Sequence, residues 1–275
     1  MFIVDLHTHS TFSDGTLTPL QLVKRAKKKR VNLLSLTDHD TVDGLPEFLE
    51  CCRKEGVKGL TGVELSAEFP TTMHILGYRI DYMNPHLSER LIELRKHRDE
   101  RNRRIYEKLL AAGLKLDFQE IEEESGGNVV ARPHFARVLV RKGYSPDLST
   151  AFRKFLARGA LAYVPRVRLS PRESIQLILH AGGLPVLAHP LQTSEREEEL
   201  ASILEELKGY GLWGMECIYS GYSSQQVMSN MKLAAGMNLF CTAGTDFHGE
   251  NRHEVDLGIR VAEDLLPWAR MGVAF

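Results

Sequence analysis

Asp5-Leu6-His7-Thr8-His9-Ser10 stands directly after the apolar run Met1-Phe2-Ile3-Val4. Apolar, partly β-branched residues that stop abruptly in a polar tip read as a buried strand. Side chains alternate along a strand, so His7 and His9 project to one face, where two imidazoles can share a cation. Leu6 and Thr8 point the other way. A lone His-x-His pair is equally the wet end of a strand, and its meaning depends on whether the pattern recurs.

It recurs along the chain. Residues 32–37 read as a second short strand that ends in Asp38-His39-Asp40, and residues 59–63 as a third that ends at Glu64. Residues 73–78 form another and carry His74. Residues 184–188 end at His189-Pro190, and residues 238–243 run into Gly244-Thr245-Asp246-Phe247-His248, with a further strand at 214–219 between them. Helical spacing separates most of these strands. Thr18-Pro19 reads as a cap with proline at the first helical position, followed by Leu20, Val23 and Ala26. Further helices are expected near 44–55, 170–181, 195–210 and 223–235. From residue 85 to about 158 the strand signal lapses and helices take over, one across 88–112 and one opening at Arg132-Pro133-His134-Phe135. The expected organisation is an α/β barrel in two parts, residues 1–84 and 161–275, interrupted by a small helical insertion, residues 85–160.

In barrels of alternating strands and helices, functional groups gather where the strands end. Seven of the eleven histidines stand at a strand end or a helix start, His7, His9, His39, His74, His134, His189 and His248, and Asp14, Glu64 and Asp246 occupy similar places. Imidazole and carboxylate without thiolate suit manganese, zinc or iron. Ten donors exceed the needs of one four-coordinate ion, so two or three divalent ions are expected, and clustered ions of this kind act on phosphate esters. His86, His97, His180 and His253 lack such positions and read as surface residues.

Composition narrows the alternatives. A chain of 275 residues with 43% hydrophobic and 26% charged residues is an ordinary globular protein, and its net charge of -1 argues against stable duplex-DNA binding. No signal-peptide core and no run of about 18 apolar residues occurs, which predicts a soluble, cytoplasmic protein with no membrane contact. Cys51, Cys52, Cys217 and Cys241 form no Cys-x-x-Cys pair and read as reduced core residues.

The motifs Asp5-Leu6-His7-Thr8-His9-Ser10, Thr37-Asp38-His39-Asp40, Gly62-Val63-Glu64, Ala188-His189-Pro190 and Gly244-Thr245-Asp246-Phe247-His248 together resemble those of the polymerase and histidinol phosphatase (PHP) family. The resemblance implies a distorted (β/α)7 barrel with three metal ions, manganese foremost. It assigns His7, His9, Glu64 and Asp246 to one ion, Glu64, His74 and His134 to a second, and Asp14, His39, His189 and His248 to a third. The helical insertion and the run Gly126 to Arg137 are similar to the subgroup that dephosphorylates nucleoside 3',5'-bisphosphates and trims short 5'-phosphorylated oligonucleotides. Two other readings are a histidinol-phosphate phosphatase with the same ligands and a non-catalytic metal-binding module of nucleic-acid machinery.

In the leading reading water attacks phosphorus in line, with no covalent phospho-enzyme, and Asp14, Arg132, His134 and His248 are the catalytic candidates. Arg132, close in sequence to His134, suits a bidentate grip on phosphate. Arg98, Arg101 and Asn102, within the basic run of residues 95–104, are candidates with Arg132 and His134 for binding a small nucleotide or oligonucleotide. Asp38 and Asp40 flank His39 and suit the orientation of ligands. Tyr219 and Tyr222 suit stacking on a base or packing at the rim.

Overall fold

The computed structural model describes residues 1–125, 129–263 and 265–273. It divides into two compact units, Met1–Leu91 with Arg168–Phe275, and Ile92–Val167.

The first unit holds eight strands: β1 (Phe2–Asp5), β2 (Leu33–Leu36), β3 (Lys58–Ser66), β4 (His74–Tyr78), β5 (Leu184–Leu187), β6 (Gly214–Tyr219), β7 (Phe240–Gly244) and β8 (Ile259–Val261). Their order is β7-β6-β5-β4-β3-β2-β1-β8. Beyond the strand ends the sheet closes on itself, because the Leu6 N–H donates to the Ala243 carbonyl at 3.0 Å and the His9 N–H to the Phe247 carbonyl at 2.9 Å. The first seven strands thus make the expected α/β barrel, and β8 is an addition that pairs antiparallel with β1.

The distortion lies in β4, which runs antiparallel to both β3 and β5. Its connection from β3, residues 67–73, is shorter than the roughly dozen residues that a parallel crossover takes. The reversal has a consequence for the site. His74, the first residue of β4, pairs with Ser66, the last of β3, and so reaches the edge that the other strands reach with their final residues.

Helices α1 (Pro19–Lys28), α2 (Leu45–Glu55), α7 (Pro171–His180), α8 (Glu197–Gly209) and α9 (Ser224–Gly236) cover the strands. Thr18 caps α1 as its sequence predicts: the Gln21 N–H donates to its hydroxyl at 3.3 Å, and its own N–H donates to the Gln21 side chain at 2.9 Å. Leu22, Val23 and Ala26 form the buried face of this helix. Val4 and Leu6 join Leu33, Leu60, Leu76, Tyr78 and Val186 in one apolar cluster, which leaves His7 and His9 for the other face of their strand. All four cysteines are free, three of them buried, and Cys217 meets Cys241 across β6 and β7. No described helix is long and apolar enough to cross a membrane.

Helix α3 (Pro85–Ala111) begins in the first unit, and its larger part belongs to the second, with α4 (Phe118–Glu124), α5 (Arg132–Arg141), α6 (Leu148–Ala151) and a π-helical turn at Phe152–Leu156. Ile105, Leu109, Ile121, Phe135, Val138, Leu139, Phe155 and Leu156 give this unit its own core.

Candidate metal centre

The first and last motifs of the chain are zipped together. Thr8 bridges Phe247 in parallel, and the Phe247 N–H donates to the His7 carbonyl at 3.3 Å. Asp38, fully within the protein, fixes the loop that follows the first motif by accepting from the Ser10 N–H at 2.7 Å, the Ser10 hydroxyl at 2.7 Å and the Ser13 hydroxyl at 2.6 Å. That loop carries Asp14. Asp40 accepts from the Ser66 N–H at 3.0 Å. Both aspartates therefore orient the backbone around the ligands.

Glu64 is the hub. Its Oε2 lies 3.2 Å from His7 Nε2, 3.2 Å from His9 Nε2 and 2.9 Å from His39 Nδ1. Its Oε1 lies 2.9 Å from His74 Nδ1 and 3.1 Å from His189 Nε2. Asp246 Oδ1 is 3.4 Å from His7 Nε2 and 3.2 Å from His9 Nε2. Asp14 closes the exposed side, with Oδ1 3.2 Å from His248 Nε2 and Oδ2 3.8 Å from His39 Nε2. Three sets of donor atoms each fall within 4.8 Å of one another: His7, His9, Glu64 and Asp246; His9, Asp14, His39 and His248; and His39, Glu64 and His74. The nine metal candidates that belong to the first unit thus come together. The first of these sets is the one the resemblance implies for one ion, the second shares Asp14, His39 and His248 with another, and the third shares Glu64 and His74 with the remaining one.

The cluster fits divalent cations. His7 Nε2, His9 Nε2, His39 Nδ1, His189 Nδ1 and Glu64 Oε2 are buried and make no hydrogen bond among the described residues. Four of these atoms converge on one another at close range without hydrogen-bonding geometry. Such buried lone pairs are costly unless something positive lies between them. Without a cation the carboxylates favour the protonated rings of His7, His9 and His39. Burial pushes His7 down, but Glu64, Glu216 and Asp246 outweigh it and raise its pKa well above the ordinary value. His39 is raised against its own burial by Glu64 and Asp14. His74 moves the other way, to about 4, because burial dominates, and its ring is neutral and ready to ligate. Glu64 and Asp246, although buried, are held ionised by the surrounding imidazoles. Three rim residues, Asp40, His189 and Asp246, have left-handed backbones with φ of 52°, 27° and 57°, conformations that persist only where the surroundings enforce them.

Two participants escape a reading of motifs. Glu216, buried in β6, accepts from the His189 N–H at 2.7 Å and holds His7 Nδ1 at 3.0 Å, which turns His7 Nε2 toward the cluster. Its signal was a carboxylate in the middle of an apolar strand. Arg252, in the short turn Gly249–Arg252, reaches Asp246, and no local pattern marks it. Tyr219 and Tyr222 take the rim-packing role: the Tyr219 hydroxyl lies 3.2 Å from Asp246 Oδ2, and Tyr222 accepts from the Leu191 N–H at 2.9 Å.

Gly244 makes the close fit of the two motifs possible. A Cβ there would stand 2.3 Å from His7 Cβ and 2.6 Å from Glu216 Oε1. His7 Cβ is fixed to the backbone and cannot swing aside. Gly244→Ala is expected to cost about 1–3 kcal/mol, read as a lowered denaturant midpoint, and to weaken cation binding. An unchanged midpoint would show that β1 and β7 yield there.

The remaining candidates lie in the second unit. His134 Nδ1 accepts from the Ala131 N–H at 3.0 Å and caps its own helix. Arg132 reaches the Leu156 carbonyl at 3.4 Å. Asn102 is buried and donates to the Val130 carbonyl at 2.8 Å, Arg101 donates to Asn102 at 3.0 Å, and Arg98 is half-buried. Gly126, Gly127 and Asn128 of the subgroup motif fall outside the described residues.

The chain is similar to known proteins. Residues 5–154 match the PHP domain family model. The chain is 35% identical to a 3',5'-nucleoside bisphosphate phosphatase of Chromobacterium violaceum, across 97% of this chain and 94% of that protein. It is 33% identical to a 5'-3' exoribonuclease of Haemophilus influenzae, across 94% and 97% of the two chains. Among solved structures, a sulfate-bound, metal-free amidohydrolase from Chromobacterium violaceum superposes with a TM-score of 0.84 at 32% identity, covering 98% of this chain and 95% of that one. The chain belongs to the PHP domain family and is a phosphoesterase.

Proposed function

We propose that this phosphoesterase removes phosphate from small nucleotides, foremost nucleoside 3',5'-bisphosphates, and trims short 5'-phosphorylated oligonucleotides as a second activity. The observation that carries the substrate class is likeness to the bisphosphate phosphatase along 97% of the chain. The exoribonuclease relative, nearly as similar, favours the second activity. His7, His9, Asp14, His39, Glu64, His74, His189, Asp246 and His248, with His134 as the tenth ligand read from sequence, would hold two or three divalent ions, with manganese preferred. Such ions lower the pKa of water and neutralise phosphate oxygens when bound.

The chain's own residues set the geometry. His248 Nδ1 donates to the Asp246 carbonyl at 2.8 Å, which leaves Nε2 directed at Asp14. Asp14 has 45% of its side chain exposed, so this pair connects the buried cluster with water and suits passing a proton to or from the reacting group. The substrate-binding role read from sequence for Arg98, Arg101, Asn102, Arg132 and His134 forms part of the proposal.

A substrate panel with manganese tests it: a nucleoside 3',5'-bisphosphate, a 5'-phosphorylated oligoribonucleotide and histidinol phosphate, with elemental analysis of the purified protein. The expected result is the highest kcat/KM on the bisphosphate, measurable release of mononucleotides from the oligomer, and little turnover of histidinol phosphate. Turnover of histidinol phosphate alone would overturn the proposal.

A further inference from the structure

We propose that Arg252 is the positioning residue that decides which oxygen of Asp246 faces the cation site. The inference rests on the reading of the cluster as a metal centre. The two oxygens of Asp246 are treated differently. Oδ1 faces His7 and His9, as given above, and stands 3.4 Å from His248 Nδ1. Oδ2 faces away, toward the Tyr219 hydroxyl and the Arg252 guanidinium. Arg252 Nη1 also donates to the Tyr219 hydroxyl at 3.1 Å and to the Asp246 carbonyl at 3.4 Å.

These contacts form a closed set. The Tyr219 hydroxyl accepts from Arg252 and gives its single proton to Asp246 Oδ2. A carboxylate held in this way cannot rotate to offer the other oxygen or both, so Asp246 presents Oδ1 alone. The contact to the carbonyl also braces the left-handed backbone of Asp246. Arg252 itself is held independently of this work: the Glu250 N–H donates to Thr16 Oγ1 at 2.9 Å, and Asn251 donates to the Asp14 carbonyl at 2.7 Å. Removing the guanidinium therefore leaves its turn anchored.

The experiment uses full-length chain stripped with chelator, as Arg252→Gln, Arg252→Lys and Tyr219→Phe beside the unaltered protein. Manganese stoichiometry and dissociation constants are measured by competition with a chromophoric chelator, and kcat and KM at saturating manganese. Arg252→Gln is expected to weaken one class of manganese site by roughly 10–100-fold and to lower kcat while leaving KM for substrate near its original value. Arg252→Lys, with its charge but no planar fork, recovers part of that loss, and Tyr219→Phe shows a smaller loss of the same kind. Unchanged manganese affinity in folded Arg252→Gln overturns the proposal. So does a rise in KM alone, which would make Arg252 a substrate contact. If the unaltered protein binds no divalent cation, the reading of the metal centre fails instead.

Discussion

Replacing Glu64 with Gln is expected to lower kcat/KM on the preferred phosphate ester by about 10³-fold or more, a loss of ~4 kcal/mol of transition-state stabilisation. The reason is its central place. Both carboxylate oxygens are engaged, one by His7, His9 and His39 and the other by His74 and His189. An amide of the same shape offers one acceptor instead of two and carries no charge, so the imidazoles around it lose the anion that orients them and the cations lose a shared ligand. The loss should exceed the roughly 10–100-fold that outer partners of ligands usually cost. The check is steady-state kinetics at saturating manganese together with metal content. A variant that keeps its metal and most of its activity would remove Glu64 from the centre of the site.

Stripping the protein with a chelator is expected to abolish turnover and to lower the thermal midpoint by about 5–10 °C relative to protein with cation at some 100 times its dissociation constant. Restoring manganese should reverse both. The size of the gap depends on pH in a definite direction. In the metal-free chain burial pushes His9 down, but Asp246 and Glu64 outweigh it and raise its pKa from 6.5 to about 10. A raised histidine stabilises through its protonated form, so this contribution is complete below pH 6.5 and is lost as pH rises through about 10. Ligation requires the neutral ring, and cation binding therefore grows stronger over the same window. The difference in thermal midpoint between loaded and stripped protein should widen as pH rises from 6.5 toward 10. Calorimetry across that range checks it, and a gap that narrows would show that the imidazoles are not the groups exchanging protons for metal.

The sequence made most of the barrel legible because its strands are short apolar runs that stop in polar residues, and each stop lies at the same edge. His7, His9, His39, Glu64, His189, Asp246 and His248 follow from that rule alone. His74 obeys it for a different reason, since it opens a strand rather than ending one, and only the reversal of β4 brings it to the others. Asp14 lay in a loop with no periodicity, and its place depends on the hold of Asp38 on Ser10 and Ser13. Glu216 and Arg252 were missed because a strand pattern says nothing of what crosses from a neighbouring strand, and a turn has no pattern to read. Arg101 and Asn102, picked from a basic run, are both buried, which a run of charges does not announce.

The closure of the first strand against the seventh also bears on the order of folding. His7 and His9 stand on the first strand of the barrel and Asp246 and His248 just after the seventh, with most of the barrel's chain between them. Contacts so distant along the chain form late and slowly. A chain in which β1 has not met β7 therefore lacks a complete set of donor atoms, and the metal centre is among the last parts of the barrel to form.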